Sequence, residues 1–192
     1  MCRIYYLLGK SATGKDTLYK EILKRRPKLR TVTMYTTRPI REGETDGVEY
    51  FFTDRAELER QEVAGKVIEE RTYQTVAGSW TYYTVDDGQF DVVGDASCLM
   101  IGTLESYEKM CAYFEDGKMV PVYIEVPDGV RLMRAVKREE NQKNPNYREV
   151  CRRYLADEKD FSEENLERAG ITKRFQNTDL DQVTQEIASY MK

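Results

Sequence analysis

The feature that most constrains this chain is a short apolar run that leads into a glycine-rich loop and then a helical pattern. Residues 4–8, Ile-Tyr-Tyr-Leu-Leu, suit a buried strand, and apolar residues recur at helical spacing after the loop. Gly9, Gly14 and Lys15 match the Gly-x-x-x-x-Gly-Lys spacing of a phosphate-binding loop, which aims backbone N–H groups and a helix dipole at an anion. The predicted phosphate-binding residues are Gly9, Lys10, Ser11, Ala12, Thr13, Gly14, Lys15, Asp16 and Thr17.

Composition bounds the class of protein. The 192 residues suffice for one sizeable core, and the 40% apolar and 33% charged fractions are typical of a soluble globular protein. The net charge of −4 argues against nucleic-acid binding as the main function, which favours a basic face. The absence of histidine excludes Ser-His-Asp and Cys-His catalysis and zinc held by histidine. Phosphoryl transfer onto another phosphate needs no histidine, because the acceptor oxygen is already anionic.

The cysteines predict the compartment. Cys2, Cys98, Cys111 and Cys151 are scattered without a Cys-x-x-Cys pair, so we expect reduced thiols in a cytoplasm. The sequence holds no apolar segment long enough to span a membrane, and its first residues read directly as a strand. We therefore expect neither a membrane span nor a signal peptide.

Strand and helix patterns alternate along most of the chain, which predicts an α/β fold with a parallel sheet. The predicted later core elements are strand 98–101, helix 104–114, strand 119–126, strand 171–175 and a last helix after Asp179 with a core stripe of Leu180, Val183, Ile187 and Met191. Two further helices are predicted, one capped by Asp128 and one that starts at Asn144-Pro145.

Residues 33–93 predict a β-rich insertion. A strand-like stretch at 48–52 and a short helix capped by Asp54 precede residues 67–85, where apolar and aromatic residues indicate short antiparallel strands. Asp87-Gly88 has the composition of a hairpin turn, which would join strands 81–85 and 89–93.

The stretch from Thr36 to Tyr50 predicts a second anion site. Arg38 and Arg41 flank Pro39, which pre-bends the loop, and two guanidinium groups suit one phosphate. On its own this stretch also reads as a solvated charged loop. Beside a phosphate-binding loop, a second phosphate site is what a kinase with a phosphorylated acceptor needs.

With these motifs in this order, the chain resembles the guanylate kinases, nucleoside monophosphate kinases of the P-loop class. The resemblance implies a three-layer P-loop NTPase core with a parallel sheet, a β-rich nucleotide-binding insertion and a helical lid. It implies ATP as the donor, Mg²⁺ as a cofactor and GMP or dGMP as the acceptor. The residues implied for the acceptor are Arg38, Arg41, Tyr50 and Tyr82 on its phosphate and Glu69 and Thr84 on its guanine.

The resemblance also implies a lid. Arg134 and Arg138 match its paired arginines, and Arg153 resembles one from the following helix. A mobile basic lid closes over the transferring phosphate and excludes water. Asn177 resembles the asparagine on the adenine side of the ATP site. The implied catalytic residues are Lys15, Arg134, Arg138 and Arg153.

The sequence departs from the family pattern at positions implied to contact the acceptor base and the Mg²⁺ ion. The family's Asp-x-Asp pair aligns with Met100 and Gly102, and Met34 and Tyr35 occupy a place that usually carries a small hydroxyl near the base. The Ser or Thr on the Mg²⁺ side of the loop is Asp16. We hypothesise that Asp16 takes over metal orientation, directly or through water, and the alternative is that it only caps the helix N-terminus.

The sequence thus predicts ATP-dependent phosphorylation of a nucleoside monophosphate, GMP or dGMP. The alternatives are a kinase for another nucleotide or phosphorylated acceptor, and a non-catalytic guanylate-kinase-like module that binds phosphorylated protein segments. We expect small nucleotides as partners and neither nucleic acid nor a membrane, and the oligomeric state is left open. The predicted domains are the core (1–32, 94–127 and 158–192), the acceptor-binding insertion (33–93) and the lid (128–157).

Overall fold

The computed structural model describes residues 3–41, 43–75, 78–90, 96–114 and 117–191. Its strands are β1 (Ile4–Leu8), β2 (Arg30–Thr31), β3 (Tyr35–Thr36), β4 (Phe51–Phe52), β5 (Val67–Thr75), β6 (Gly78–Val85), β7 (Cys98–Ile101), β8 (Met119–Glu125) and β9 (Arg174–Gln176). Its helices are α1 (Lys15–Arg25), α2 (Arg55–Val63), α3 (Leu104–Tyr113), α4 (Asp128–Glu140), α5 (Tyr147–Asp160), α6 (Glu163–Arg168) and α7 (Leu180–Tyr190).

A five-stranded parallel sheet of order β2-β7-β1-β8-β9 forms the core. The central strand β1 is fully buried along its length, as a continuous apolar run predicts for a parallel sheet covered on both faces. Tyr5 and Leu7 pack in a cluster with residues of α1 and α7, whereas Tyr6 packs on the other face with residues of α3. The predicted α/β core with helices on both sides of the sheet is confirmed.

A second, four-stranded sheet of order β4-β3-β6-β5 carries the insertion. Its largest unit is the antiparallel pair β5 and β6, in which Glu69 faces Thr84 and Arg71 faces Tyr82. The short strand β3 pairs antiparallel with β6 and parallel with β4. The β-rich character predicted for this part of the chain is therefore present.

The predicted hairpin at Asp87-Gly88 is wrong. Strand β6 takes β5 and β3 as its neighbours, so both of its edges are already occupied. Gln89 and Phe90 lie in a turn, and the remainder of the predicted strand 89–93 falls outside the described residues. The side chain of Gln89 instead binds the backbone N–H and carbonyl of Thr33.

Several predicted boundaries also differ. Pro127, not Asp128, is the N-cap of α4, and α5 begins at Tyr147 with Asn146 as its cap, so Asn144-Pro145 lies outside the helix. The predicted strand 48–52 shortens to β4, and the predicted strand 171–175 to β9. Leu180 is 38% exposed, while Val183, Ile187 and Met191 of the predicted stripe are buried.

Other local predictions are confirmed. The carboxylates of Asp54 and Asp179 accept from the backbone N–H groups of Glu57 and Gln182, as expected of helix caps. Within the described residues, the helices are too short or too polar to cross a membrane.

Candidate active site

The phosphate-binding loop joins the end of β1 to the start of α1, at the carboxyl edge of the parallel sheet. Gly14 has φ of +88° and lies so close to Asn177 that a Cβ would come within 2.6 Å of its Nδ2. A Cβ on Gly9 would collide with the carbonyl oxygen of Ile124 on β8. Both positions therefore require glycine, which is why the loop can wind closely against the sheet.

Lys15 lies inside this loop. Its Nζ donates to the carbonyl oxygens of Gly9 at 2.7 Å and Lys10 at 2.8 Å. Burial lowers its pKa to about 8, although the nearby charges of Asp16 and Asp157 act in the opposite direction. Lys15 is half-buried, and its hydrogen bonds within the described residues go to backbone carbonyls. Such an ammonium is suited to a polyanion, which supplies the negative charge that these carbonyls lack.

Asn177 braces the loop. Its side chain is buried, and Nδ2 donates to the carbonyl oxygen of Thr13 at 2.8 Å. Arg134 reaches over from α4 and donates to the backbone carbonyl of Asn177 at 3.2 Å. The residue predicted for the adenine side therefore positions the loop, and its adenine contact stays a prediction.

Acidic residues of α5 also contact the loop. The Asp157 carboxylate accepts from the backbone N–H of Ser11 at 2.8 Å, and Glu158 accepts from Lys10 Nζ at 2.8 Å. Arg131, 1% exposed, ties this group together by ion pairs with Asp157 and Glu158. The lid helices thus meet the loop through a charge network, which sequence reasoning missed because it depends on contacts across about 146 residues.

The predicted lid arginines are placed differently from one another. Arg134 and Arg138 are exposed on α4, whereas Arg131, three residues before Arg134, is buried. Arg153 is exposed on α5, and its charge lowers the pKa of Lys15, so the two lie near each other. Arg134 and Arg153 therefore both lie near the loop, whereas no contact between Arg138 and the loop is found among the described residues. The action of these arginines on phosphate stays a prediction.

The predicted phosphate ligand Arg38 lies among aromatic rings. This side chain is 3% exposed, and its guanidinium lies 5.1 Å from the ring centre of Tyr50 and 5.2 Å from that of Phe52. Glu44 binds two of its nitrogens, but Nε has no hydrogen-bond partner among the described residues. The rings on which Arg38 rests fix its orientation. Its binding of a phosphate stays a prediction.

The remaining predicted phosphate ligands are placed differently with respect to Arg38. The ring of Tyr82 contacts that of Tyr50 with centres 5.5 Å apart, and Tyr82 raises the pKa of Arg38. Arg41 is exposed, with its guanidinium 6.0 Å from the ring of Trp80. The structure therefore brings Arg38, Tyr50 and Tyr82 together and leaves Arg41 at the rim.

One residue connects the two phosphate sites. Burial raises the pKa of the Tyr50 hydroxyl, and among the charges that act on it are Arg38 from the insertion and Asp16 from the first turn of α1. A carboxylate beside the loop lysine and a tyrosine of the predicted acceptor site are thus close enough to interact. The two predicted phosphate sites therefore lie near each other.

The predicted base-binding residues lie near the start of β5 and the end of β6. Glu69, 3% exposed, accepts from the hydroxyl of Thr84 at 2.8 Å. It also forms an ion pair with Arg71, Nε to Oε2 at 3.0 Å. Arg71 was not predicted as a site residue, although its position two residues after Glu69 puts both side chains on one face of the strand.

The two positions at which the resemblance expects Asp-x-Asp are filled by the core. Met100 is fully buried, in register with Tyr6 of β1. A Cβ at Gly102 would collide with the Tyr6 hydroxyl, so Tyr6 occupies the space of a side chain there. Neither position offers a carboxylate, and a side chain at Gly102 would require Tyr6 to move.

Asp16 is the predicted metal residue. It is exposed in the first turn of α1, and no side chain caps that helix in the part of the chain that the structure describes. The same described residues contain no group of three or more Asp, Glu or Cys side chains that could hold a metal ion. A metal here would take its other ligands from water and from nucleotide phosphate, as Mg²⁺ commonly does.

Comparison with known proteins agrees with this geometry. Residues 1–87 match the family model described as guanylate kinase. The guanylate kinase of Thermobifida fusca is 46% identical over 67 residues, 35% of this chain and 34% of the relative. That of Symbiobacterium thermophilum is 46% identical over 61 residues, 32% of this chain and 29% of the relative. The chain thus matches only about a third of the length of these curated relatives.

The fold agrees over a longer range. The crystal structure of guanylate kinase from Anaplasma phagocytophilum superimposes with a TM-score of 0.69 and 19% identity, over 99% of this chain and 84% of that one. The sequence resemblance expected along nearly the whole chain is therefore found in its first 87 residues, and the remainder is supported by the fold. The first 87 residues are thus similar to the guanylate kinases in sequence, and the chain as a whole shares the fold of a solved guanylate kinase.

Proposed function

We propose that the protein transfers the γ-phosphoryl group of ATP to a nucleoside monophosphate, GMP or dGMP. The observation that supports this proposal is that Tyr50 lies close enough to both Arg38 of the predicted acceptor site and Asp16 beside the loop lysine for each charge to act on its pKa. Two phosphate sites that face each other suit transfer from one phosphate to another, because catalysis of this step is mostly positioning and charge neutralisation.

Each predicted residue has a role in this proposal. The loop from Gly9 to Thr17 binds the β- and γ-phosphates, with Lys15 as the cation at the transferred group. The acceptor phosphate is bound by Arg38, Arg41, Tyr50 and Tyr82. Arg134, Arg138 and Arg153 neutralise charge when the lid closes, and Asn177 lies on the adenine side.

Magnesium belongs to the proposal as well. The oxygen donors next to Lys15 are the exposed carboxylate of Asp16 and the hydroxyl of Thr17, and hard oxygen ligands suit Mg²⁺. When bound, Mg²⁺ neutralises charge on the β- and γ-phosphates. We also propose the division into core, insertion and lid at the predicted boundaries, and a cytoplasmic location on the scattered cysteines.

A non-catalytic module that binds phosphorylated protein segments is the second candidate. It would use the Arg38 site alone, and such modules usually lose the P-loop. Here Gly9 and Gly14 keep conformations that only glycine suits, and Lys15 remains inside the loop. These features favour the kinase.

The test is an assay of ATP turnover with Mg²⁺ and each of GMP, dGMP, AMP and UMP. We expect turnover with GMP and dGMP, and a loss of about 10³-fold in Lys15→Ala, as for the removal of other cationic phosphoryl clamps. Lys24→Ala is the matched control, because Lys24 lies on the same helix with its side chain 69% exposed and pairs only with Glu21 among the described residues. Full activity of Lys15→Ala, or no turnover with any nucleotide, would refute the kinase.

A further inference from the structure

Arg71 lies beside the predicted base-binding residue Glu69. It is 6% exposed, and its guanidinium contacts three residues, with Nη2 also donating to Oε1 of Glu69 at 3.3 Å. Nη1 donates to the hydroxyl of Thr103 at 2.7 Å, Nη2 lies 3.7 Å from the sulfur of Met34, and Nε lies 3.0 Å from Oε2 of Glu69. The side chain thus bridges the insertion to the loop that follows β7.

Two of these neighbours stand at or beside positions where the resemblance expects different residues. Met34 lies where a small hydroxyl is expected, and Thr103 follows Gly102, where a carboxylate is expected. The Tyr6 hydroxyl fills the space of a side chain at Gly102. Arg71 therefore places a cation beside both of these positions.

The pair of Arg71 and Glu69 retains hydrogen-bonding capacity. Although Arg71 Nε and Glu69 Oε2 are 3.0 Å apart, they are not aligned for a hydrogen bond, and neither atom has a hydrogen-bond partner among the described residues. Buried polar atoms in native proteins are almost always partnered, so two unpartnered atoms side by side indicate a ligand edge. One atom donates and the other accepts.

Arg71 stays protonated. Burial lowers its pKa, but the Glu69 carboxylate and the neighbouring tyrosines Tyr6, Tyr73 and Tyr50 together outweigh burial, so the pKa is raised. Arg71 is therefore a donor at every pH at which the protein folds.

We propose that Arg71 is a base-specificity residue, whose guanidinium donates to O6 of the acceptor guanine while Glu69 accepts from N1–H and the 2-amino group. This inference rests on the proposed kinase function and names the group that reads the base. Guanine places an acceptor, O6, beside two donors, and arginine is a frequent partner of O6. Adenine places an amino group and an acceptor nitrogen in the reverse order, so each would face a like group.

The test compares GMP with 6-thioguanosine 5′-monophosphate, which keeps N1–H and the 2-amino group but offers only a weak sulfur acceptor at position 6. The wild type is expected to favour GMP by about 10- to 100-fold in kcat/KM, the range of a lost hydrogen bond to a charged group. In Arg71→Met this ratio of kcat/KM values falls to within about twofold of one, because both nucleotides then lack the contact to the atom at position 6. AMP is expected to remain a poor acceptor for the wild type.

Arg55→Met is the matched control, since Arg55 is exposed on α2 of the same insertion and pairs with Glu59. It should keep the wild-type ratio. Because Arg71→Met leaves Glu69 buried without its cation, Arg71→Lys is the second variant: it keeps the charge, lacks the fork that reaches Thr103 and the base together, and should also lower the ratio.

The outcomes distinguish a failure of the proposed kinase function from a failure of the proposed role of Arg71. A wild type that phosphorylates no nucleotide refutes the kinase function and this inference with it. A wild type that phosphorylates GMP but shows no preference over the thio analogue, or loses equal activity toward both in the Arg71 variants, refutes only the base-reading role and makes Arg71 a structural bridge. A ratio that depends on Arg71 supports the inference.

Discussion

Both carboxylate oxygens of Glu44 accept hydrogen bonds from Arg38, each at 2.7 Å. The same carboxylate accepts from the backbone N–H of Arg41 at 2.9 Å. Glu44 therefore links the two arginines proposed to bind the acceptor phosphate, and it leaves Nε of Arg38 without a partner among the described residues. These bonds hold the pKa of Glu44 at about 2, below its ordinary 4.5.

The first prediction is that Glu44→Gln weakens acceptor binding. The amide keeps one acceptor oxygen but no charge, so Arg38 loses its bidentate partner and its fixed orientation. We expect the KM for GMP to rise about tenfold with a smaller change in kcat, the equivalent of one charge-assisted hydrogen bond. Steady-state kinetics measure this, with Glu59→Gln on α2 as a control that should leave KM unchanged.

The same variant tests the pKa. Because the folded pKa of Glu44 lies below its ordinary value, its contribution to the free energy of unfolding is present above about pH 4.5 and is lost as the pH falls toward 2. The difference in unfolding free energy between wild type and Glu44→Gln should therefore narrow from pH 5 to pH 2. A difference that does not vary with pH would contradict the Arg38–Glu44 assignment.

Local sequence patterns were sufficient for the elements around the loop. The run 4–8, the loop glycines and the helix after them are contiguous, so their spacing alone predicts β1, the phosphate loop and α1. The helix caps at Asp54 and Asp179 are equally local. In contrast, the hairpin predicted at Asp87-Gly88 depended on which strands pair with β6, and in the structure β6 pairs with β5 on one edge and with β3 on the other.

The site could be predicted only in part, for the same reason. Motif spacing found Lys15 and Arg38, because each belongs to a contiguous pattern. It missed Asp157, which binds the loop from a helix 146 positions further along the chain, and Arg71, which bridges to Thr103 across 32 positions. The alternation of Glu69 and Arg71 on one strand face was the available signal for Arg71.

The second prediction concerns the pH dependence of Lys15. Burial lowers its pKa to about 8, so the loop of the free enzyme loses its ammonium charge above that pH. The kcat/KM for ATP, which reports the free enzyme, should fall about tenfold for each pH unit above 8. In Lys24→Met, where the substituted lysine is exposed on the same helix, the profile should match the wild type.

The free energy of unfolding of the wild type relative to Lys15→Met should rise with pH, whereas kcat/KM should fall. Because the folded pKa of Lys15 lies below its ordinary 10.5, the unfolded chain binds more protons between pH 8 and 10.5, and the stability of the wild type relative to Lys15→Met should rise over that range. Urea denaturation at pH 7.5 and 10 measures it. If kcat/KM and relative stability fell together, general alkaline damage rather than Lys15 would be the cause.

The third prediction concerns Asp16 and Mg²⁺. Its carboxylate is exposed beside Lys15, its charge acts on Tyr50, and it stands where the resemblance expects a metal-side hydroxyl. Asparagine keeps the size and one oxygen but removes the charge that a hard cation favours. In Asp16→Asn we expect the Mg²⁺ concentration for half-maximal rate to rise about tenfold, an effect the size of one lost charged ligand contact.

The control for this experiment is Asp181→Asn, whose carboxylate is in the first turn of α7 and 92% exposed. It should leave the Mg²⁺ dependence unchanged. If Asp16 only stabilises the start of α1, then Asp16→Asn lowers the free energy of unfolding by under about 1 kcal/mol. The Mg²⁺ titration then overlays that of the wild type. An unchanged titration would therefore remove Asp16 from the metal site, whereas a shifted titration at unchanged stability would assign it there.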